Sequence, residues 1–301
     1  MKINEKTIKK ILVGIDFSEA SKCALNEAVR LADQQSGEIH ALHIIEEGMM
    51  DAIEAFSHLD RDEIYNSITE RLDAFCRECR VGTSNLTKTV KIGQPVDEFK
   101  ELCDTLEPNL VVLGAWGSQS HQDKTTGTTA KQIVSGCQGD VLLVRPRPDT
   151  NLSKVAACID FSEYDVSIVR AADQLCVAED ATLEILHVFF PPWEKSSLEN
   201  QEEKVVSPDF ICEYKAVLQG RLDALIPLNV HGVASFKSKT TVIEDLKHSE
   251  SILSHLKRTE ADEAVIGARG QSRIDSMILG RIAERIVTES PCSVYIVKDL
   301  K

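Results

Sequence analysis

"KKILVGIDFSEASKCALNEAVRLADQQSGEIHALHII", residues 9–45, occurs twice in this chain in altered form. Residues 153–189 read "SKVAACIDFSEYDVSIVRAADQLCVAEDATLEILHVF". Both copies hold I-D-F-S-E, with Asp16 matching Asp160 and His43 matching His187 at a constant offset of 144. Each copy opens on a short apolar run, passes through a helix-period segment and closes on a second apolar run. Short strands that are nearly all apolar are those covered by helices on both faces.

The pattern continues outward. In the first half, β-type runs fall near 10–15, 38–45, 87–92, 109–113 and 141–145, with helical patterns near 19–35, 57–80, 96–106 and 127–136. Strands alternating with helices imply a parallel, doubly wound sheet. The offset between copies grows to 153 at Gly114/Gly267 and Gly127/Gly280, so the second copy carries nine extra residues before its glycine loop. Proline and polar residues break the pattern at "RPRPDTNLS", residues 145–153. The expected fold is therefore α/β, with two tandem five-stranded domains of Rossmann-like or flavodoxin-like type, residues 1–148 and 149–301. Right-handed crossovers place the strand ends on one edge. Ligands of such folds bind there, at the point where strand order reverses.

The stretch with the densest chemistry is "GAWGSQSHQDKTTGTTAKQI", residues 114–133, directly after the apolar "NLVVL". Gly114, Gly117 and Gly127 form G-x2-G-x9-G, followed by Thr128 and Thr129. Glycines permit positive φ and close ligand approach. The helix expected to open near Thr128 adds unsatisfied N–H groups and a positive dipole end. The plainer role is a tight turn with Thr128 as N-cap. "GARGQSRIDSMILGRIAERI", residues 267–286, repeats the spacing through Gly267, Gly270 and Gly280. Neither loop is a Walker motif or a G-x-G-x-x-G fingerprint.

Bulk properties narrow the partners. The 301 residues carry a formal net charge of −14, which disfavours direct nucleic-acid binding and adhesion to anionic membranes. No signal-like segment follows the N-terminal lysines, and no apolar run is long enough to span a bilayer, so a cytoplasmic location is expected. The nine cysteines are scattered, and most lie in apolar surroundings, where they read as buried small hydrophobes in a reducing compartment. Cys76 and Cys79 have CxxC spacing but lie inside a helical pattern, with no second CxxC to complete a zinc site.

These residues resemble the universal stress protein family, in tandem form and nearly end to end. The resemblance is carried by "ILVGIDFSEAS", "ALHII", "GQP", "GAWG" with Gly127-Thr128, and "DVLLVRP". In the second copy it is carried by "AACIDFSEY", "EILHVF", "GARG" with Gly280, and "SPCSVYIVK". The resemblance implies binding of ATP or AMP, with Asp16 and Ile44 at the adenosine end and Gly114, Gly117, Gly127, Thr128 and Thr129 at the phosphates. A degenerate second site would use Asp160, Val188, Gly267, Gly270, Gly280 and Arg281. Mg²⁺ beside the phosphates, near Asp16, is compatible with a single carboxylate. The first copy departs from the family with polar "DKTT" before its third glycine. The second places Arg281 where the family has a hydroxyl residue and lacks "GQP". The first domain is the better match for a nucleotide.

No catalytic base, Walker lysine or nucleophile constellation is visible, and His43 and His187 read as strand-end structural residues. Binding without efficient turnover is therefore expected. The alternatives are a slow ATPase or autophosphorylating protein, and a scaffold whose second pocket holds an apolar ligand. "FFPPWEKSSLENQEEKVVSPDF", residues 189–210, reads as an irregular connector or a lid. Single-domain members of the family pair their last strands. "DVLLVRP" and "CSVYIVK" are accordingly expected to pair within one chain as an internal pseudo-dimer, and further homodimerisation stays open.

Overall fold

The structure is a computed structural model and describes residues 8–79, 85–117, 125–148, 151–191, 207–226, 237–269 and 279–298. The chain divides into two compact units, Met1–Pro148 and Asp149–Lys301.

Unit 1 runs β1 (Lys10–Ile15), α1 (Glu19–Gln35), β2 (Glu38–Ile45), α2 (Glu47–Phe56), α3 (Arg61–Glu78), β3 (Leu86–Ile92), α4 (Pro95–Leu106), β4 (Leu110–Gly114), α5 (Thr128–Gly136) and β5 (Asp140–Val144). Its strand order is β3-β2-β1-β4-β5, with parallel pairing throughout. This is the Rossmann order over five strands; the flavodoxin order would begin 2-1-3. Order reverses between β1 and β4. The register Ile15↔His43 and Val13↔Val112 brings Asp16, Ile44 and Gly114 to one edge of the sheet.

The strands form where the apolar runs lie: Leu12, Val13, Val111, Val112, Val141 and Leu142 are all fully buried. Helix α1 packs across β1, β4 and β5, whereas α4 packs on α5 and β2. The helix expected near 57–80 is α3, Arg61–Glu78, and a separate helix not assigned from the sequence, α2, precedes it at Glu47–Phe56. The chain breaks at Ser57 and restarts at Asp60, whose side chain accepts from Glu63 N while Glu63 accepts from Asp60 N. That capping box satisfies N–H groups a continuous helix would not leave open.

Unit 2 repeats the plan: β6 (Lys154–Ile159), α6 (Asp165–Glu179), β7 (Thr182–Phe189), α7 (Pro208–Asp223), β8 (Ser238–Glu244), α8 (His248–Thr259), β9 (Glu263–Gly267), α9 (Arg281–Glu289) and β10 (Ser293–Val297). The order is β10-β9-β6-β7-β8, again parallel, with reversal between β6 and β9. Residues 192–206, most of the irregular connector, lie outside the described residues. No helix among the described residues is long and apolar enough to cross a membrane.

Within unit 1, β5 is the last strand and bonds to β4. Its sequence, DVLLV, makes a short apolar edge of the kind that recruits another strand. A fragment of residues 1–148 expressed alone is expected to self-associate through β5, and Leu143→Pro to weaken that association by removing a ladder N–H. Sedimentation of the fragment at high concentration checks this. A stable, strictly monomeric fragment would count against it.

Candidate functional site

In unit 1 the carboxylate of Asp16 organises the turn after β1. Its Oδ1 accepts from Ser18 N at 3.0 Å and from Ser18 Oγ at 2.5 Å. Ser18 is in turn the N-cap of α1 and accepts from Ser21 N. Asp16 thus acts on the helix start through Ser18 rather than capping it directly. Its Oδ2 faces Gly117, where an added Cβ would lie 2.8 Å from that oxygen.

The glycine loop is closed by backbone. Ala115 N donates to Val144 O, and Ala115 O accepts from Gly127 N, both at 2.9 Å. The second copy has the same pair, Ala268 N to Val297 O and Gly280 N to Ala268 O. These bonds give the long glycine spacing a purpose: it spans a loop pinned at both ends. In unit 1 the loop base is also braced by Arg145, which donates to the buried Thr126 Oγ1 at 3.2 Å and lies 5.1 Å over the Trp116 ring.

The glycines do different jobs, and positive φ is not one of them. None of Gly114, Gly117, Gly127 and Gly267 has a φ in the left-handed region. Gly114 is needed for packing, since a Cβ there would sit 2.8 Å from Ala20 C and 2.9 Å from Ser21 N. At Gly127 a Cβ would meet no atom within 4 Å. Gly127, not Thr128, is the N-cap of α5, with φ −62° and ψ 154° and no side-chain capping bond. Thr128 and Thr129 open the helix as exposed residues. Gly280 caps α9 in the same way, directly before Arg281. Gly270 lies outside the described residues.

Directly after the site aspartates, an aromatic residue is held in the left-handed region in each unit: Phe17 at φ 61° and Phe161 at φ 59°. A non-glycine residue there is strained and must be held by its surroundings. Each ring lies 4.4 Å from a histidine ring, His43 or His187. Arg71 covers Phe17 at 4.1 Å, and Arg221 covers Phe161 at 3.7 Å. Each histidine donates its Nδ1 hydrogen to the last carbonyl of the first strand, Ile15 O at 2.8 Å or Ile159 O at 2.9 Å. Burial, chiefly, holds both imidazoles below their ordinary pKa, with the neighbouring arginines adding to it. This agrees with a strand-end structural role.

In unit 2 the crevice between β6 and β9 opens into a cavity of ≈ 660 Å³. Five of the six residues that the sequence assigned to the second site line it: Asp160, Val188, Gly267, Gly280 and Arg281. Its walls are apolar and aromatic, with Phe189, Tyr214 and Leu218 among them, and Arg221 and Arg269 add cationic groups. Asp165, at the start of α6, replaces the Ser21 of unit 1 and is buried beside Asp160. Burial, and then the Asp160 charge, push its carboxyl up to about 6.

A profile of the universal stress protein family matches residues 7–145 and again residues 151–298. The chain belongs to the universal stress protein family. A universal stress protein of Synechocystis, Sll1388, is 24% identical over 149 residues, which span 45% of this chain and 97% of that one. The solved structure of a universal stress protein from Archaeoglobus fulgidus covers 98% of this chain and 99% of its own, with a TM-score of 0.65 at 16% identity. That of a functionally unknown protein of Pseudomonas aeruginosa covers 97% and 93%, with a TM-score of 0.67 at 13% identity. The fold of a tandem universal stress protein is thus the fold found here.

Several groups in this universal stress protein escaped the sequence reading. The Phe17–Arg71 and Phe161–Arg221 stacks had half a signal, since the phenylalanine recurs inside I-D-F-S-E, but the arginines sit in helices of different offset. Cys76 and Cys79 are buried thiols pushed up to about 11, chiefly by burial. At neutral pH they are protonated, which suits ordinary helix cysteines.

Proposed function

We propose that this chain binds an adenine nucleotide, ATP or AMP, at the carboxyl edge of its sheets and holds it without efficient turnover, as a cytoplasmic stress-response protein. The observation that carries this reading is the ≈ 660 Å³ cavity of unit 2, which gathers five of the six residues that the repeat and the family resemblance assign to the second site. Its size and its apolar walls with a few convergent charges suit a nucleotide-sized ligand. In unit 1 the corresponding features are Asp16 against Gly117 and the open space at Gly127.

Unit 1 is the proposed principal site. Helix α5 has no acidic residue in its first turn, and two exposed hydroxyls stand at its start. Helix α9 carries Glu284 in its first turn, so Arg281 has an anion nearby before any ligand arrives. Mg²⁺ would enter with the phosphates. Asp16 offers it one protein oxygen, Oδ2, because Oδ1 is taken by Ser18.

Titration calorimetry with ATP and AMP on the full chain tests the reading. Gly117→Val is expected to lower affinity at least tenfold, because the new Cβ must displace the Asp16 carboxylate. Unchanged affinity would sink the assignment of this loop. Arg281→Ser restores the family's hydroxyl in unit 2. If Arg281 blocks that site the stoichiometry rises by one, and if it pairs with phosphate the stoichiometry falls by one. A stoichiometry that does not move would remove Arg281 from the site.

A second reading has its own support in Phe189, Tyr214 and Leu218, which make the unit 2 cavity hospitable to an apolar ligand. Mass spectrometry of compounds released from the purified protein separates the two. Steady ADP release above a Gly117→Ala control would favour the slow ATPase instead.

A further inference from the structure

Helices α4 and α5 of unit 1 pack on one another, and Cys103 of α4 lies against Cys137, the C-cap of α5. Their sulfurs are 3.4 Å apart, and both residues are buried. The close approach has a local cause. Gly136, the last residue of α5, leaves room for the Lys100 side chain to cross the helix end, where a Cβ would collide with it. Lys100 and Cys103 are one turn apart on α4, so this fit also seats Cys103 on Cys137.

The repeat supplies an internal control. Helices α4 and α8, and likewise α5 and α9, correspond at the same offset of 153. The positions of Cys103 and Cys137 are then Leu256 and Ser290, both buried, and Ser290 is again the C-cap with its N–H on Ile286 O. The fold therefore makes this helix–helix contact without sulfur. Two thiols in contact are a property of unit 1 and not a requirement of the architecture.

We propose that Cys103 and Cys137 are a redox pair that a hydroperoxide converts to a disulfide. One thiolate attacks a peroxide oxygen, the O–O bond breaks and the alcohol or water leaves, giving a sulfenic acid on that cysteine. The second thiol then attacks the sulfenyl sulfur, the S–S bond forms and water leaves. The peroxide is reduced by two electrons and the two thiols are oxidised by two. A disulfide needs an S–S distance of about 2.0 Å, so the sulfurs close by about 1.4 Å, a side-chain adjustment at a helix end. The product ties α4 to the C-terminal end of α5, whose other end carries Gly127 and Thr128. The assignment stands independently of what the glycine loop binds.

The test is peroxide titration of the full-length protein, followed by alkylation under denaturing conditions and peptide mapping. Cys212 is exposed and reports that the oxidant dose is sufficient. The expected result is a cross-linked peptide joining Cys103 to Cys137 that reverts with dithiothreitol. In Cys137→Ser, which copies Ser290 of the second unit, the cross-link should vanish while the protein stays folded by circular dichroism. Both thiols remaining alkylatable after Cys212 is oxidised would overturn the proposal. So would a cross-link from either residue to a different cysteine in the wild-type chain.

Discussion

Gly114→Val is expected to destabilise the protein by on the order of 3 kcal/mol, whereas Gly127→Ser, in the same motif, should stabilise it by a few tenths of a kcal/mol. The difference follows from what each glycine faces. At Gly114 an added Cβ would lie within 2.9 Å of Ala20 C, Ala20 Cβ and Ser21 N. Two of those atoms belong to the backbone at the start of α1, which is held by the Ser18 cap and cannot swing aside as a long side chain would. Relief requires α1 to move off β4, against which it is packed. At Gly127 the Cβ meets nothing, and the extended φ and ψ are those that N-cap serines adopt. A serine there would satisfy an open N–H of α5. Both copies nevertheless keep glycine at this cap. On the proposed function, that choice keeps the approach to the helix open, so Gly127→Ser should gain stability and lose nucleotide affinity together. Denaturant melts and calorimetry on the two variants check both halves. A Gly114→Val protein as stable as wild type would show that α1 is not docked as described.

This contrast also shows what the sequence could and could not disclose. The strands were legible because their faces are both covered, which leaves uninterrupted apolar runs such as "ILVGI" and "LVVLG" between polar ends. The edge that gathers Asp16, Ile44 and Gly114 was legible too, because a parallel order with short crossovers permits few arrangements. The start of α3, expected near 57 and found at Arg61, was less so, since Ser57 to Leu59 holds neither glycine nor proline; its mark was the Asp60–Glu63 capping box. The roles of the glycines were misjudged in one respect. Glycine suggested unusual φ, but the loop uses it for space at Gly114 and Gly117, and the unusual φ near the site falls on Phe17 and Phe161. Nothing in a phenylalanine advertises a left-handed backbone. What holds it there is tertiary, a histidine on one side and an arginine from another helix on the other.

The other large effect belongs to Asp165. Its carboxyl is 6% exposed and stands beside Asp160, whose N–H it accepts at 3.4 Å. Burial first, and the Asp160 charge second, push its pKa from 3.8 to about 6. The sign of the consequence follows from proton counting. Below pH 3.8 the group is protonated in both folded and unfolded chains and contributes no difference. Between 3.8 and about 6 the unfolded chain ionises while the folded one keeps its proton, so this group lowers stability as pH rises. Above about 6 both are ionised, and the loss levels off at about 3 kcal/mol, taking 1.36 kcal/mol per unit. Asp165→Asn keeps an oxygen for the Asp160 N–H and removes the charge. The variant is therefore expected to match wild type near pH 4 and to exceed it by on the order of 2–3 kcal/mol at pH 7–8. The gain should shrink at neutral pH in Asp160→Asn, which removes the second cause. Urea denaturation of both single variants and the double variant across pH 4–8 measures the curve. The burial of His43 and His187 acts in the opposite direction, because imidazoles held below their ordinary pKa lower stability as pH falls through that range. The Asp165→Asn protein should therefore show the steeper loss toward acid of the two. A variant whose stability parallels wild type at every pH would mean that Asp165 ionises in the folded protein as easily as in the unfolded chain, despite its burial beside Asp160.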